Sequence, residues 1–204
     1  MTSVLVVGAH PDDEALGCGG TLRQHALGGD RVTAVFLTSG EAGGHGIEHP
    51  GQTREAEARA AARILGIAEV QFWHEPDGRL RARRAVVERL REVIAGTRAS
   101  VVYAPHRADD HPDHSCAARI VAQAVAHAGR RVQVWHYEIW APLACVDHVV
   151  DISAVLEDKL RAIRAYRSQC AVMRFDDAFA GLARYRGEMH SWPGGPYAEV
   201  FSTR

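Results

Sequence analysis

The chain has 204 residues, 47% of them hydrophobic and 24% charged, the composition of a folded globular protein with enough length to bury a sizeable core; this excludes a disordered, collagen-like or coiled-coil chain. Lys and Arg number 24 against 25 Asp and Glu, so no global charge draws the protein to nucleic acid or to an anionic membrane. No apolar run reaches the roughly 18 residues of a membrane span, and Cys18, Cys116, Cys145 and Cys170 form no Cys-x-x-Cys pair; the expectation is a soluble, reduced, cytoplasmic protein with no nucleic-acid or membrane partner.

Short β-branched runs alternate with longer Ala/Arg/Leu stretches of helical period. That is the pattern of an α/β chain, a single Rossmann-like domain over residues 1–204 with a mostly parallel sheet flanked by helices. Residues 4–8 are apolar throughout, as a strand covered on both faces must be, and a tight turn leads into a helix over 12–26. Residues 31–37 read as the second strand. A Gly-rich loop follows over 39–51, with Gly40, Gly43, Gly44 and Gly46, and a loop of that length in a compact domain is usually functional. A helix over 52–65 ends at Gly66 in the C-cap position, and 70–73 is a short strand. Residues 80–95 place Val86, Leu90, Val93 and Ile94 on one helical face. Next come a strand over 100–104, a polar loop over 105–113 and a helix over 115–128. Residues 132–140 and 146–152 read as strands near an edge, 154–167 as a helix, and 168–204 has weak periodicity.

Chemistry concentrates where the first strand ends, in Gly8-Ala9-His10-Pro11-Asp12-Asp13-Glu14. The carboxyl ends of strands are where open α/β sheets bind ligands. Gly17, Gly19 and Gly20 fall inside the following helix with the wrong spacing for a dinucleotide fingerprint, so a nucleotide fold is not supported. His10 and Asp13, three residues apart across a turn, can face one point, with Asp12 beside them; the same acids also suit the positive end of a helix. A second cluster, His111-Pro112-Asp113-His114, follows the strand at 100–104, with His106, Asp109 and Asp110 just before it. It reads either as a helix N-cap with incidental histidines or as a partner of the first. If both clusters face one crevice, His10, Asp13 and His114 make a three-ligand site with an open position, the catalytic arrangement for zinc.

These residues resemble the zinc-dependent N-deacetylases of the PIG-L/LmbE-like family, whose Ala-His-Pro-Asp-Asp-Glu and His-Pro-Asp-His turns both occur here unaltered. The likeness continues in Leu37-Thr38-Ser39-Gly40-Glu41-Ala42-Gly43, in Thr53-Arg54-Glu55 through Leu65-Gly66, and in Asp77-Gly78. Weaker matches are Tyr137-Glu138-Ile139-Trp140, Lys159 through Ser168-Gln169, and Ala198-Glu199-Val200-Phe201. The resemblance implies a Zn²⁺, or Fe²⁺ or another divalent metal, held by His10, Asp13 and His114. It implies Asp12 as general base, and His111 as the group that stabilises the tetrahedral oxyanion, oriented and kept cationic by Asp113. Arg54, Glu41 and Asp77 match positions around the substrate. Asp109 stands where some members carry Tyr, so no tyrosine is assigned to the oxyanion step. The implied reaction is hydrolysis of the N-acetyl, or another N-acyl, amide of an amino-sugar-containing small molecule such as an N-acetylglucosamine conjugate.

A metal suits that reaction because it polarises a poor electrophile and lowers the pKa of water from 15.7 to about 7. Trp73, Trp140 and Trp192 are candidates to stack on a sugar ring or to pack in the core, and residues 191–197 read as a rim or as a rigid surface turn. His25, His45, His49, His74, His127, His136, His148 and His190 show no ligand spacing. Two other classes stay open. His111-x-Asp113 with a distant His can mimic the triad of a non-haem Fe(II) oxygenase, and the same scaffold can serve a non-catalytic sugar- or metal-binding protein, against which the presence of Asp12 speaks. A homo-oligomer is compatible with either.

Overall fold

Residues 4–7 have no polar side chain to leave in water. In the computed structural model, which describes residues 2–43, 46–129 and 131–204, they form the buried middle of β1 (Ser3–Gly8). Gly44 and His45 lie outside the described residues. β1 pairs in parallel with β2 (Arg31–Phe36) on one side and β4 (Val101–Pro105) on the other, Val6 standing opposite both Ala34 and Tyr103. β3 (Glu69–Phe72) and β5 (Gln133–Tyr137) complete a parallel sheet of order β3-β2-β1-β4-β5. The connections are helical: α1 (Asp13–Leu27), α2 (Pro50–Leu65), α3 (Arg84–Thr97) and α4 (Pro112–Ala126). Beyond β5 come β6 (His148–Asp151), α5 (Leu156–Ala165), α6 (Arg167–Cys170), α7 (Phe175–His190) and β7 (Ala198–Phe201).

The period of two along β1 divides the core. Val4 and Val6 pack with side chains of α1, α2 and α5, whereas Leu5 and Val7 pack with α3 and α4, so helices cover both faces of an α/β, Rossmann-like sheet. The chain builds outward from β1 to β3 and then crosses back to β4. Such a reversal opens a crevice at the carboxyl ends of the two strands beside it. The turns that follow β1 and β4 carry the two polar clusters.

Several elements differ from their sequence reading. α2 begins at Pro50 and α4 at Pro112, both earlier than the apolar pattern suggests, because proline suits the first helical turn. α3 begins only at Arg84: the N–H groups of Gly78 and Leu80 donate to the Asp113 carboxylate, which holds the preceding segment out of a helix. Residues 146–152 do not extend the main sheet; β6 pairs antiparallel with β7 in a separate two-stranded sheet, joined to β5 by a bridge between His136 and Ser202. α7 escaped the pattern because its inner face mixes Phe175, Phe179 and Ala183 with Arg186, whose guanidinium is buried on Glu138 at 2.6 and 2.9 Å.

α1 is broken at Cys18, where φ is −146°. The ends that the break exposes are met by a buried ion pair. Lys159 Nζ donates to Leu16 O (2.7 Å) and to Glu199 Oε1 (2.6 Å), while Glu199 accepts from Gly20 N (2.9 Å), Thr21 N (2.8 Å) and Thr21 Oγ1 (2.6 Å). Backbone groups freed from a helix need such partners when buried. A Cβ at Gly20 would stand 2.7 Å from Ile152 Cγ2, and one at Gly17 would enter the Tyr137 ring, so both glycines set how closely α1 can approach. No helix among the described residues is long and apolar enough to cross a membrane.

Candidate active site

The turn after β1 is wound around the Asp13 carboxylate. Its Oδ2 accepts the N–H groups of Ala9 (2.7 Å) and His10 (3.1 Å), which leaves Oδ1 facing His114 Nε2 at 3.2 Å and His10 Nδ1 at 3.9 Å. The two imidazole nitrogens lie 3.3 Å apart. Tetrahedral metal–ligand bonds of about 2.0–2.1 Å imply donor separations of roughly 3.3–3.4 Å, so this triangle of two nitrogens and one oxygen fits a small divalent cation with one position open. Behind the rings, His10 Nε2 lies 2.9 Å from Asp77 Oδ1 and 3.4 Å from Asp113 Oδ2, and His114 Nδ1 lies 3.2 Å from Asp109 Oδ1. These two buried nitrogens lack an aligned hydrogen bond, yet each has a carboxylate at its back, as metal-ligating histidines commonly do. His10, Asp77 and Asp113 also bring ligand atoms together, as do His10, His111 and His114. In the former set both carboxylates already serve backbone N–H groups, of Ala42 for Asp77 and of Gly78 and Leu80 for Asp113.

Burial opposes charge on His10, but Asp113 and Asp77 outweigh it and raise its pKa to about 9. His114 is likewise disfavoured by burial and raised to about 10 by Asp13 and Asp109. Burial works the other way on Asp13, where the neighbouring His114 and His10 prevail and hold the carboxyl well below its usual range. Two nitrogens 3.3 Å apart have room for one proton between them. The carboxylates therefore stabilise positive charge at the place where a cation fits.

Asp12 occupies the start of α1 with φ +127°, a conformation that costs a non-glycine residue on the order of 1–3 kcal/mol and collects at functional sites. Its carbonyl accepts from Ala15 and Leu16, its N–H reaches Glu14 Oε2 at 3.3 Å, and its Oδ2 lies 2.9 Å from Arg54 Nη2. Burial raises the Asp12 pKa to about 6, with Arg54 holding it from rising further. Glu14, fully buried, is pushed up to about 8 by burial, a rise limited by the hydroxyl of Tyr166, which donates to it at 2.6 Å.

Arg54, expected at the substrate, lines the cleft and also braces the turn after β1. It is 5% exposed and donates to Pro11 O (2.6 Å), Gly40 O (3.0 Å) and Asp12. Glu41 is exposed and accepts from Asp77 N at 3.1 Å, and Asp77, which lines the cleft, also sits on His10. The expected pairing of the Asp113 carboxylate with His111 is absent: that carboxylate turns to His10, Gly78 and Leu80, and His111 Nδ1 instead accepts the Asp113 backbone N–H at 3.2 Å. Burial and the neighbouring His10 and His114 lower the His111 pKa. The lowered pKa and the Nδ1 acceptor role both favour the neutral imidazole, whose proton would then sit on Nε2.

The cleft above these groups has a volume of about 250 Å³ and is walled by Asp12, His111, His114, Trp140, Gln169 and Phe175. Trp140, 45% exposed, meets Phe175 edge-on. Trp73 is instead buried under Arg89, and Trp192 and residues 191–197 line no part of the cleft. Sequence reasoning missed Asp109, Gln169 and Phe175. For Asp109 there was a signal, since an acid close before His114 can pair with the imidazole once the loop folds back.

A family profile described as PIG-L: GlcNAc-PI de-N-acetylase matches residues 5–125. The chain is 32% identical over 192 residues to diacetylchitobiose deacetylase of Thermococcus kodakarensis, a match covering 83% of this chain and 70% of that protein. A conserved protein of Thermus thermophilus superposes with a TM-score of 0.89 at 35% identity, covering 100% of this chain and 94% of that one. The 4-carboxy-2-hydroxymuconate hydratase of Pseudomonas putida superposes with a TM-score of 0.88 at 27% identity, covering 99% and 95%. Proteins named for two different reactions thus share this architecture.

Proposed function

We propose that this chain, which belongs to the PIG-L family of de-N-acetylases, is a metal-dependent hydrolase that removes an N-acetyl or other N-acyl group from an amino-sugar-containing small molecule. A divalent cation on His10, Asp13 and His114, zinc in this reading, supplies a Lewis acid that polarises the amide carbonyl and lowers the pKa of water to about 7. The observation that carries the proposal is Asp12, a strained, buried carboxylate with a pKa raised to about 6, lining the cleft beside the ligand triangle. Arg54 fixes one of its oxygens. The other is free to take a proton from water and return it to the departing amine, and a pKa just below neutrality keeps the group both ionised and basic.

His111 donates from Nε2 to the oxygen that gains charge as the carbonyl is attacked. As a neutral donor it acts by hydrogen bonding rather than by full charge. The Trp140 face offers a stacking surface for one pyranose ring, and the cleft suits a sugar unit with its acyl arm. In this reading one domain spans the whole chain, and the four free cysteines support a reduced, cytoplasmic setting.

The test is an anaerobic assay of the zinc-loaded protein on N-acetylated mono- and disaccharides, scored by free amine and acetate in equal amounts. Amine release supports the reading. Turnover that requires O₂ selects an Fe(II) oxygenase, and sugar binding without turnover selects a binding protein. The structural neighbour named a hydratase motivates a second reading, water addition to an unsaturated hydroxy-tricarboxylate. Consumption of such a substrate with no amine released would select it.

A further inference from the structure

Residues 79–83 run Arg-Leu-Arg-Ala-Arg and alternate in burial: Leu80 is buried and Ala82 half-buried, while Arg79, Arg81 and Arg83 are exposed. Leu80 and Ala82 pack against the core on the α3/α4 side, so the guanidinium groups share the outer face of this non-helical segment. Across from it α4 contributes Arg119 and Gln123, four residues apart and hence on one helical face. Between the two walls lies a groove of about 530 Å³. Some surface arginines sit on carboxylates, as Arg23, Arg59, Arg164, Arg174 and Arg184 do; the groove is set apart by gathering several that do not on two facing walls. In the groove Arg83 pairs with Glu75, but among the described residues Arg79, Arg81 and Arg119 have no such partner. The one carboxylate lining the groove, Asp113, is already committed to His10, Gly78 and Leu80.

We propose that this groove is a second binding site, for a multiply charged anion of the phosphate class, and that its occupancy is felt at the catalytic turn. Planar guanidinium forks converging from two walls recognise phosphate oxygens in pairs, which lysines do less well. The coupling has a short path. Gly78 and Leu80, which flank Arg79, hold the Asp113 carboxylate, and Asp113 stands against His10 Nε2 at 3.4 Å. An anion drawn onto Arg79 and Arg81 steadies the segment that fixes this carboxylate.

Calorimetric titration of the zinc-loaded full chain with pyrophosphate at low ionic strength tests the site. Saturable binding is expected, weakened about tenfold in Arg81→Ala and about a hundredfold in Arg81→Ala/Arg119→Ala, with circular dichroism and melting temperature unchanged. Equal binding in the double variant puts the anion on the zinc and overturns the proposal, as does the absence of saturable binding. A second arm, which alone rests on the deacetylase reading, compares N-acetylglucosamine with its 6-phosphate. A lower KM for the phosphorylated sugar in the parent protein only identifies the anion as part of the substrate. A change in neutral-sugar turnover on adding free phosphate, again in the parent only, identifies a separate effector. If neither occurs, the link to the catalytic turn is refuted.

Discussion

The turns that follow β1 and β4 supply one histidine each to the same triangle of ligand atoms, yet they are built in opposite ways. In the first, His10, Asp12, Asp13 and Glu14 are all less than a tenth exposed, and Asp12 holds a positive φ with no side-chain cap on its helix. In the second, the helix starts conventionally, with His111 at φ −83°, its ring accepting the Asp113 N–H and Pro112 in the first turn. Of that pair of histidines, His111 is half-buried and His114 fully buried, and both line the cleft. Backbone strain gathers in the first turn, to which the proposed mechanism gives the proton and most of the cation; the relaxed turn carries His111, to which it gives contact with the substrate.

This division is testable, beginning with the ligand the second turn contributes. His114→Ala should abolish stoichiometric zinc binding, measured by elemental analysis after dialysis, and with it all turnover; a fully loaded variant would mean the triangle is not the metal site. Asp12→Asn should keep the metal and lose about 10²–10⁴ in kcat. The same residue sets an acid limb in kcat/KM. A base must be ionised, so activity falls as pH drops through the Asp12 pKa, raised to about 6 by burial, and a bound cation shifts the limb to lower pH. Asp12→Asn should remove the limb, and a surviving limb would assign it to another group.

His111→Ala should retain metal and lose about 10²–10³ in kcat, a loss confined to the chemical step if the second turn serves contact rather than ligation. Asp109→Asn asks whether the second turn needs the same support as the first. With the carboxylate behind His114 gone, zinc affinity in a competition titration should fall about 10- to 100-fold. The smallest effect belongs to Trp140→Ala, where loss of a stacking face worth about 0.5–1.5 kcal/mol should raise KM for an N-acetyl sugar several-fold with kcat little changed.

The inner strands and the two motif turns were legible because each depends on neighbours in sequence. β1 is apolar from Val4 to Gly8, and Asp13 closes on the N–H groups of Ala9 and His10 within its own turn. What stayed hidden depends on distant partners. Arg54 looks like any arginine on an Arg-rich helix until Pro11 and Gly40 are seen to receive it. The Asp113 carboxylate was expected on its neighbour His111, but loop 77–80 folds over and claims it. The stretch before α3 was read as helical from its apolar spacing, although its Arg-Leu-Arg-Ala-Arg alternation has a period of two and already signalled a non-helical segment.

The clasp between Lys159 and Glu199 has a bearing on how the molecule is made. Gly20, which Glu199 holds, precedes it by 179 positions, so during synthesis the helix that presents Asp13 waits for β7 to leave the ribosome before both pieces are secured. Metal capture by ribosome-bound chains halted at increasing lengths, the longest carrying an added C-terminal spacer that brings residue 199 out of the exit tunnel, should therefore rise late, well after both histidine turns are available.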